Sequence, residues 1–466
     1  MRCWQLSLPF DYLDEVSESS RLAFVRLGLG LLIFYRGILD LILGIQAGGE
    51  IEWIWSVPVA LGGLLLIVGL LTRYTYALFA IFYLSYNIKY EFMNLGPLFM
   101  QPLFWFGLIL DSRPVFSIDS LLAKRDKNLG KVLLWRASGT ESSAFVYARF
   151  LLFFIYAVNS GIALGYHLGD EFWRNGRTVH AILVNSYLSQ HFEMLRSIEA
   201  SVPELLKLFS WVSIVLQTIF QFLMLPLVFT RFGRLFVIVH GYLFFVFSLF
   251  FLQISVLPVV ELLYWYLIFG FKPKIGQTRV SEIVRLTPAR MFVGLPLILA
   301  ALVGLLIQAS EIWPRYFPRL PSSLEQTAKL MAIWPPNVFN KPDLGMGEVW
   351  FVIERIPSSG ERETVQYFSE NGKRLREHNY DRIYYGHTLQ WRRLAAEMSD
   401  SEILEDEMVN RILRKLCAID YRRHKTTEKI EYEITIYRDT SMQLELPIDV
   451  RYKARVLGTK RVSLPD

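Results

Sequence analysis

Seven runs of about twenty apolar residues, near 22–45, 53–72, 74–93, 144–167, 207–229, 234–255 and 291–310, fill most of the first two thirds of the chain. A bilayer's hydrocarbon core is about 30 Å thick and offers the backbone no water. A run of this length must therefore satisfy its own N–H and C=O groups, as a helix does. The pattern predicts a polytopic bundle. Two shorter runs, 97–110 (PLFMQPLFWFGLIL) and 257–270 (LPVVELLYWYLIFG), fall short of an untilted span. They read as tilted, broken or re-entrant segments, which survive only where protein or a wet cavity surrounds them. With both included, the expected fold is an all-α membrane bundle of about nine passes.

Charge divides the chain in two. Residues 1–311 hold 24 Lys/Arg and 20 Asp/Glu, whereas residues 312–466 hold 25 and 23 in half the length. A transmembrane domain, 21–311, is thus followed by a proline-punctuated connector, 312–346, and a water-soluble domain, 347–466. Residues 1–20 form a polar segment with no apolar stretch, so a cleaved signal peptide is not expected there. The formal charge of +6 sits largely in loops beside apolar runs, and the tail is nearly balanced, so nucleic acid is not an expected partner. Cys3 and Cys417 lie at opposite ends and make no disulfide framework.

Basic residues orient the bundle. With the N-terminus in the cytoplasm, the inner loops of nine passes carry 14 Lys/Arg, among them Arg113, Lys124, Arg125, Lys127 and Lys131. The outer loops carry only Lys89, Arg174, Arg177, Arg196 and Lys207. The expectation is a plasma- or inner-membrane protein with its C-terminal domain outside the cytoplasm. That domain reads as α+β. Glu428–Tyr437 alternates as a half-buried strand, and Gly347–Ile356 and Glu363–Phe368 are further strands. Ser399–Cys417 reads as a helix with capping-box spacing at Ser399 and Glu402, and with Leu404, Met408, Ile412 and Leu416 as its stripe.

Chemistry must come from polar residues in the bundle, because no P-loop, HExxH, GxSxG or CxxC is present. Arg36 and Asp40 are four apart on the first span and share a face, which predicts a structural ion pair. Arg26 and Arg149, near cytoplasmic ends, are expected to snorkel. Glu261 has no opposite charge near it in sequence and reads either as a proton carrier or as a protonated group hydrogen-bonded in the bundle. His240 is either a packing residue or a proton acceptor. Tyr166, His167, Asp170, Glu171, Trp173, Arg177 and His180 cluster on the outer side. They form either a solvated loop with an aromatic anchor or a binding site at the mouth of the bundle. His167 and His180 lack further ligands at metal spacing, so no metal site is expected.

Tyr156-Ala-Val-Asn-Ser-Gly161-Ile-Ala-Leu164, followed by Trp173-Arg-Asn-Gly176, resembles the Y-x-x-x-x-G-x-x-K … W-x-x-G passage of the horizontally transferred transmembrane (HTTM) domain family, to which vitamin K-dependent γ-glutamyl carboxylase is related. Arg26–Arg36, Asn87, Phe104-Trp105, Val115-Phe-Ser-Ile-Asp119, His240 and Trp334-Pro-Pro336 follow a similar order. The resemblance implies an HTTM-type bundle. In the family's carboxylase a lysine after the glycine is the base that deprotonates reduced vitamin K, and here Leu164 holds its place. Leucine cannot take a proton, so carboxylase activity is not expected. What remains is a membrane protein that binds a lipid-soluble molecule or a peptide at its outer mouth. Two alternatives stay open. One is an enzyme using a quinone-like cofactor, with His240, His167 or Glu261 in place of the lysine. The other is a non-catalytic accessory to an exported peptide.

Overall fold

The computed structural model describes residues 4–8, 15–46, 52–89, 95–110, 115–134, 142–185, 188–252, 254, 256–270, 282–286, 349–357, 361–365, 400–423, 429–439 and 454–464, with isolated positions between 302 and 323. Helices dominate. The bundle is built from α1 (Glu15–Gln46), α2 (Glu52–Val68), α3 (Thr72–Lys89), α4 (Leu95–Leu110), α7 (Ser142–Gly169), α11 (Pro203–Leu227), α12 (Arg231–Phe251) and α13 (Leu257–Phe269). Among the described residues, four segments are long and apolar enough to cross a membrane: Ser20–Leu39, Ala148–Gly169, Pro203–Leu227 and Arg231–Phe251. Both short runs are continuous helices, α4 and α13. Most of the run 291–310 lies outside the described residues.

The bundle packs through small residues and one aromatic centre. A Cβ on Gly37 would lie 2.6 Å from the Ala60 backbone nitrogen, and one on Gly63 would lie 2.4 Å from that of Phe34. Glycine is therefore what lets the backbones of α1 and α2 touch, the usual means of joining helices where lipid removes the hydrophobic drive between them. At the centre, fully buried Trp265 meets Tyr156, Phe153, Phe220, Phe245 and Phe269 with ring centroids 4.9–6.2 Å apart.

The helix ends explain the buried arginines. The last carbonyls of a helix have no intrahelical partner and carry the negative end of its dipole. At about 1.5 Å per residue, α13 is only roughly 20 Å long, so its C-terminus stays inside the protein. Arg149 donates to the Ile268 carbonyl, Arg21 Nη2 to that of Phe269 at 3.5 Å, and the Tyr242 hydroxyl to that of Gly270 at 2.9 Å. Arg26, 0% exposed, does the same for α2 through Leu66 O at 3.1 Å. Snorkelling, expected for Arg26 and Arg149, is thus not what they do: unpaired carbonyls lie closer to them than water. Arg36 is half-buried on α1, but the Asp40 side chain lies outside the described residues, and so does their expected pair.

Between α4 and α7 lie two short helices, α5 (Ile118–Arg125) and α6 (Lys127–Leu134). After α7 come α8 (Glu171–Arg174), α9 (Thr178–Val184) and α10 (Phe192–Ser201). An antiparallel ribbon pairs β1 (Trp4–Leu8) with β2 (Glu282–Leu286), structure that the polar character of residues 1–20 did not announce.

The C-terminal domain has a four-stranded antiparallel sheet in the order β4-β3-β5-β6: β3 (Val349–Ile356), β4 (Glu363–Thr364), β5 (Ile430–Asp439) and β6 (Ala454–Leu464). One face carries α14 (Asp400–Glu405) and α15 (Glu407–Arg423). The expected single helix is broken, because Asp406 accepts the Val409 amide at 2.8 Å and starts α15 afresh. Ile403, Val409, Leu413, Leu416 and Cys417 are buried in the domain core. Of the expected stripe, Leu416 is buried, Leu404 is half-buried, and the Met408 and Ile412 side chains lie outside the described residues.

Candidate functional site

The group around His167 and Trp173, expected on the outer side, is folded protein and not a solvated loop. Asp170 ends α7 and caps α8, its Oδ1 accepting the Trp173 amide at 3.1 Å. Gly176 turns the chain at φ +69°, where a Cβ would lie 2.3 Å from the Trp211 ring. The chain then enters α9, whose Thr178, His180, Ala181, Ile182, Leu183 and Val184 are all buried. Ser210 on α11 locks this arrangement, donating to Gly176 O at 2.5 Å and accepting the His180 amide at 3.1 Å.

Within it, His167 stands out. It is 5% exposed, and among the described residues neither ring nitrogen has a hydrogen-bond partner. A buried polar group without a partner normally costs about 1–3 kcal/mol, so such a group is a natural place for a ligand. Its ring meets the Trp173 indole edge-on at 4.1 Å. The indole is itself fixed, Nε1 donating to Thr218 Oγ1 of α11 at 3.2 Å. His167 and Trp173 are six residues apart but on different helices, and the Asp170 cap is what folds one onto the other.

The other expected residues divide. His180 lies in the same region but faces inward, its Nε2 2.9 Å from Glu199 Oε1 on α10. Glu199 carried no sequence signal, because its spacing of nineteen residues from His180 matches no motif. Tyr166 and Arg177 are half-buried, and Glu171 is exposed. Glu261, fully inside the bundle, accepts the Tyr156 hydroxyl at 3.3 Å. Its partner thus comes from α7 and not from its own run. His240 Nε2 lies 2.9 Å from Gln217 Oε1, between the rings of Phe236, Phe220 and Phe244. Gln217 and Thr218 are neighbours on α11, so one turn of that helix holds His240 on one side and Trp173 on the other.

One face of α7 connects His167 with Tyr156 and the buried Glu261. Tyr156, Ser160 and His167 follow at spacings of four and seven, which aligns them along a stripe. The eleven residues from Tyr156 to His167 cover about 16 Å of helix. Tyr156 also hydrogen-bonds Ser160. Within the stripe's span, Gly161 is exposed, and a Cβ there would meet nothing within 4 Å among the described residues. Leu164 is 3% exposed. Among the described residues, no three His, Cys, Asp or Glu side chains converge as metal ligands would. No protein-family model, curated protein or solved structure matches the chain.

Proposed function

We propose that this chain is an HTTM-type integral membrane protein that binds a lipid-soluble molecule with a hydrogen-bonding head, or a peptide, at the outer end of its bundle. The observation that carries this reading is the His167 imidazole, buried against Trp173 with both nitrogens unpartnered among the described residues. The polar stripe along α7 supplies a few directional groups in an otherwise apolar setting, the usual make-up of a small-molecule site. A quinone-like molecule would satisfy the same imidazole, so the redox alternative shares the site and differs only in chemistry. For the accessory reading, the occupant is a peptide. Organic extracts of the protein and of His167→Phe, purified in parallel, should differ by one lipid-soluble species or peptide, depleted roughly tenfold in the variant. Identical extracts would sink the proposal.

The reading includes nine passes with a cytoplasmic N-terminus. Among the described residues, eight bundle helices separate β1 from β2, and an even number of crossings is what their pairing requires. Leu39, at the far end of α1 from Glu15, packs on the core of the C-terminal domain, which supports placing that domain on the opposite side from the N-terminus. Cysteine labelling tests the orientation. Burial pushes the Cys417 thiol above the usual range, with Asp420's charge adding to the effect, so it stays silent to maleimide. In a Cys3→Ser background, an impermeant maleimide added outside should label Ser358→Cys and miss Arg125→Cys. The reverse pattern would overturn the orientation.

A further inference from the structure

The segment from Val115 to Leu134 is fastened to the turn between two bundle helices. Asp119, 0% exposed, accepts the amides of Leu71 and Thr72 at 2.8 Å each, and its own amide donates to Gly69 O at 2.9 Å. Arg26 Nη2 reaches Val115 O at 3.1 Å and Phe116 O at 2.9 Å. Farther on, the Tyr74 hydroxyl donates to Val132 O at 3.2 Å. Its placement rests on the nine-pass reading proposed above, in which α2 and α3 are adjacent membrane helices: the tight turn joining them then lies at the membrane boundary, and whatever is bolted to it lies there too.

On this frame the chain displays apolar side chains outward. Phe116 is 77% exposed and sits at φ +53°, a conformation bulky residues rarely adopt. Leu121 and Val132 are more than half exposed, and Ile118 and Leu129 more than a third. Lys124 and Arg125 are exposed among them, and Lys127 and Lys131 follow in sequence. Of the acids in α5 and the residue after it, Asp119 is consumed inside and Asp126 accepts the Asn128 amide at 2.7 Å. Apolar residues interleaved with surplus positive charge at a membrane boundary are the make-up of an interfacial helix on an anionic leaflet.

We infer that α5 and α6, led by Phe116, dock on the anionic headgroup surface of the membrane that holds the bundle. Phe116, Leu121 and Val132 enter the layer below the phosphates, and Lys124 and Arg125 contact the phosphates. This inference does not depend on what His167 binds. The test uses the full chain in lipid nanodiscs, with Cys3→Ser and a polarity-sensitive fluorophore on Leu121→Cys. In discs containing phosphatidylglycerol, brominated acyl chains should quench the probe. Quenching should weaken in pure phosphatidylcholine and in high salt. Lys124→Gln with Arg125→Gln should lower the docked-to-undocked ratio by roughly thirty-fold at low salt. A probe reached by aqueous iodide and untouched by brominated chains would overturn the inference. So would quenching that ignores lipid charge, or shielding that grows with protein concentration, which would make the occupant a second copy.

Discussion

Arg26→Met is expected to destabilise the bundle by roughly 3–5 kcal/mol, from about 1–3 kcal/mol for each buried acceptor left unpaired, discounted where solvent can help. Arg26 serves three carbonyls at once, those of Leu66, Val115 and Phe116. Leu66 O lies wholly inside, and the other two are partly buried. Methionine keeps much of the volume and removes every donor, so the loss reports hydrogen bonding and not a cavity. Arg26→Lys should recover only part, because one ammonium cannot span three acceptors as a guanidinium fork does. Asp119→Ala attacks the same junction from the other side by stripping two backbone amides of their carboxylate. The double variant should cost less than the sum of the singles, since either change already loosens the Gly69–Leu71 turn. Thermal unfolding of the purified full chain measures all four. An Arg26→Met protein as stable as its parent would mean that water, not the guanidinium, satisfies those carbonyls.

The same junction marks where sequence reading succeeds and where it stops. Helices were legible because an apolar run in lipid has little else to become, and even the fourteen-residue runs followed that rule. The work of Arg26 and Arg149 was not legible. Each looks in sequence like a charge at a helix end that reaches for water. Their acceptors are 40 to 119 residues away, and only the tertiary fold shows that carbonyls lie nearer than solvent. The group around His167 was legible as a cluster, since His167, Asp170 and Trp173 are close in sequence. Thr218 and Glu199, which fix Trp173 and His180, were not, being ordinary polar residues on other helices. In the C-terminal domain the helix was found, but Asp406 was read through. An Asp followed by Glu407 is also an N-cap signal, and here it starts a new helix. Strand β6 escaped because Arg455, Lys460 and Arg461 interrupt its alternation, as suits the partly solvated last strand of a sheet.

Arg355→Met should open the C-terminal domain. Arg355 reaches up from β3, its side chain 10% exposed, and pairs with Asp420 at 3.1 Å and with Glu363. Asp420, 11% exposed, also accepts the Tyr432 hydroxyl at 3.0 Å. Removing one partner of a buried pair strands the other's charge and typically costs about 3–5 kcal/mol. Cys417 provides the readout: 0% exposed and three residues before Asp420 on α15, it reacts only when the domain opens. Its alkylation rate at fixed pH should therefore rise by about two to three and a half orders of magnitude, at about 1.4 kcal/mol per tenfold. Replacing Arg355 and Asp420 together with apolar residues should return most of the loss. The same cluster sets an alkaline limit. Burial raises both the Cys417 thiol and the Tyr432 phenol above their ordinary ranges, with Asp420's charge adding to each. The folded domain thus holds protons that the unfolded chain releases from about pH 8.5 for the thiol and about pH 10 for the phenol. Their contribution is complete below about pH 8.5 and is lost as pH climbs beyond it. Lys460, whose amine is pulled down by partial burial, works in the opposite direction, but it is one half-exposed group against two buried ones. The opening free energy, taken from Cys417 exchange corrected for thiolate fraction, should fall steadily above pH 8.5. A value that holds level or rises up to pH 11 would show that these two protons do not stay bound when the domain is folded.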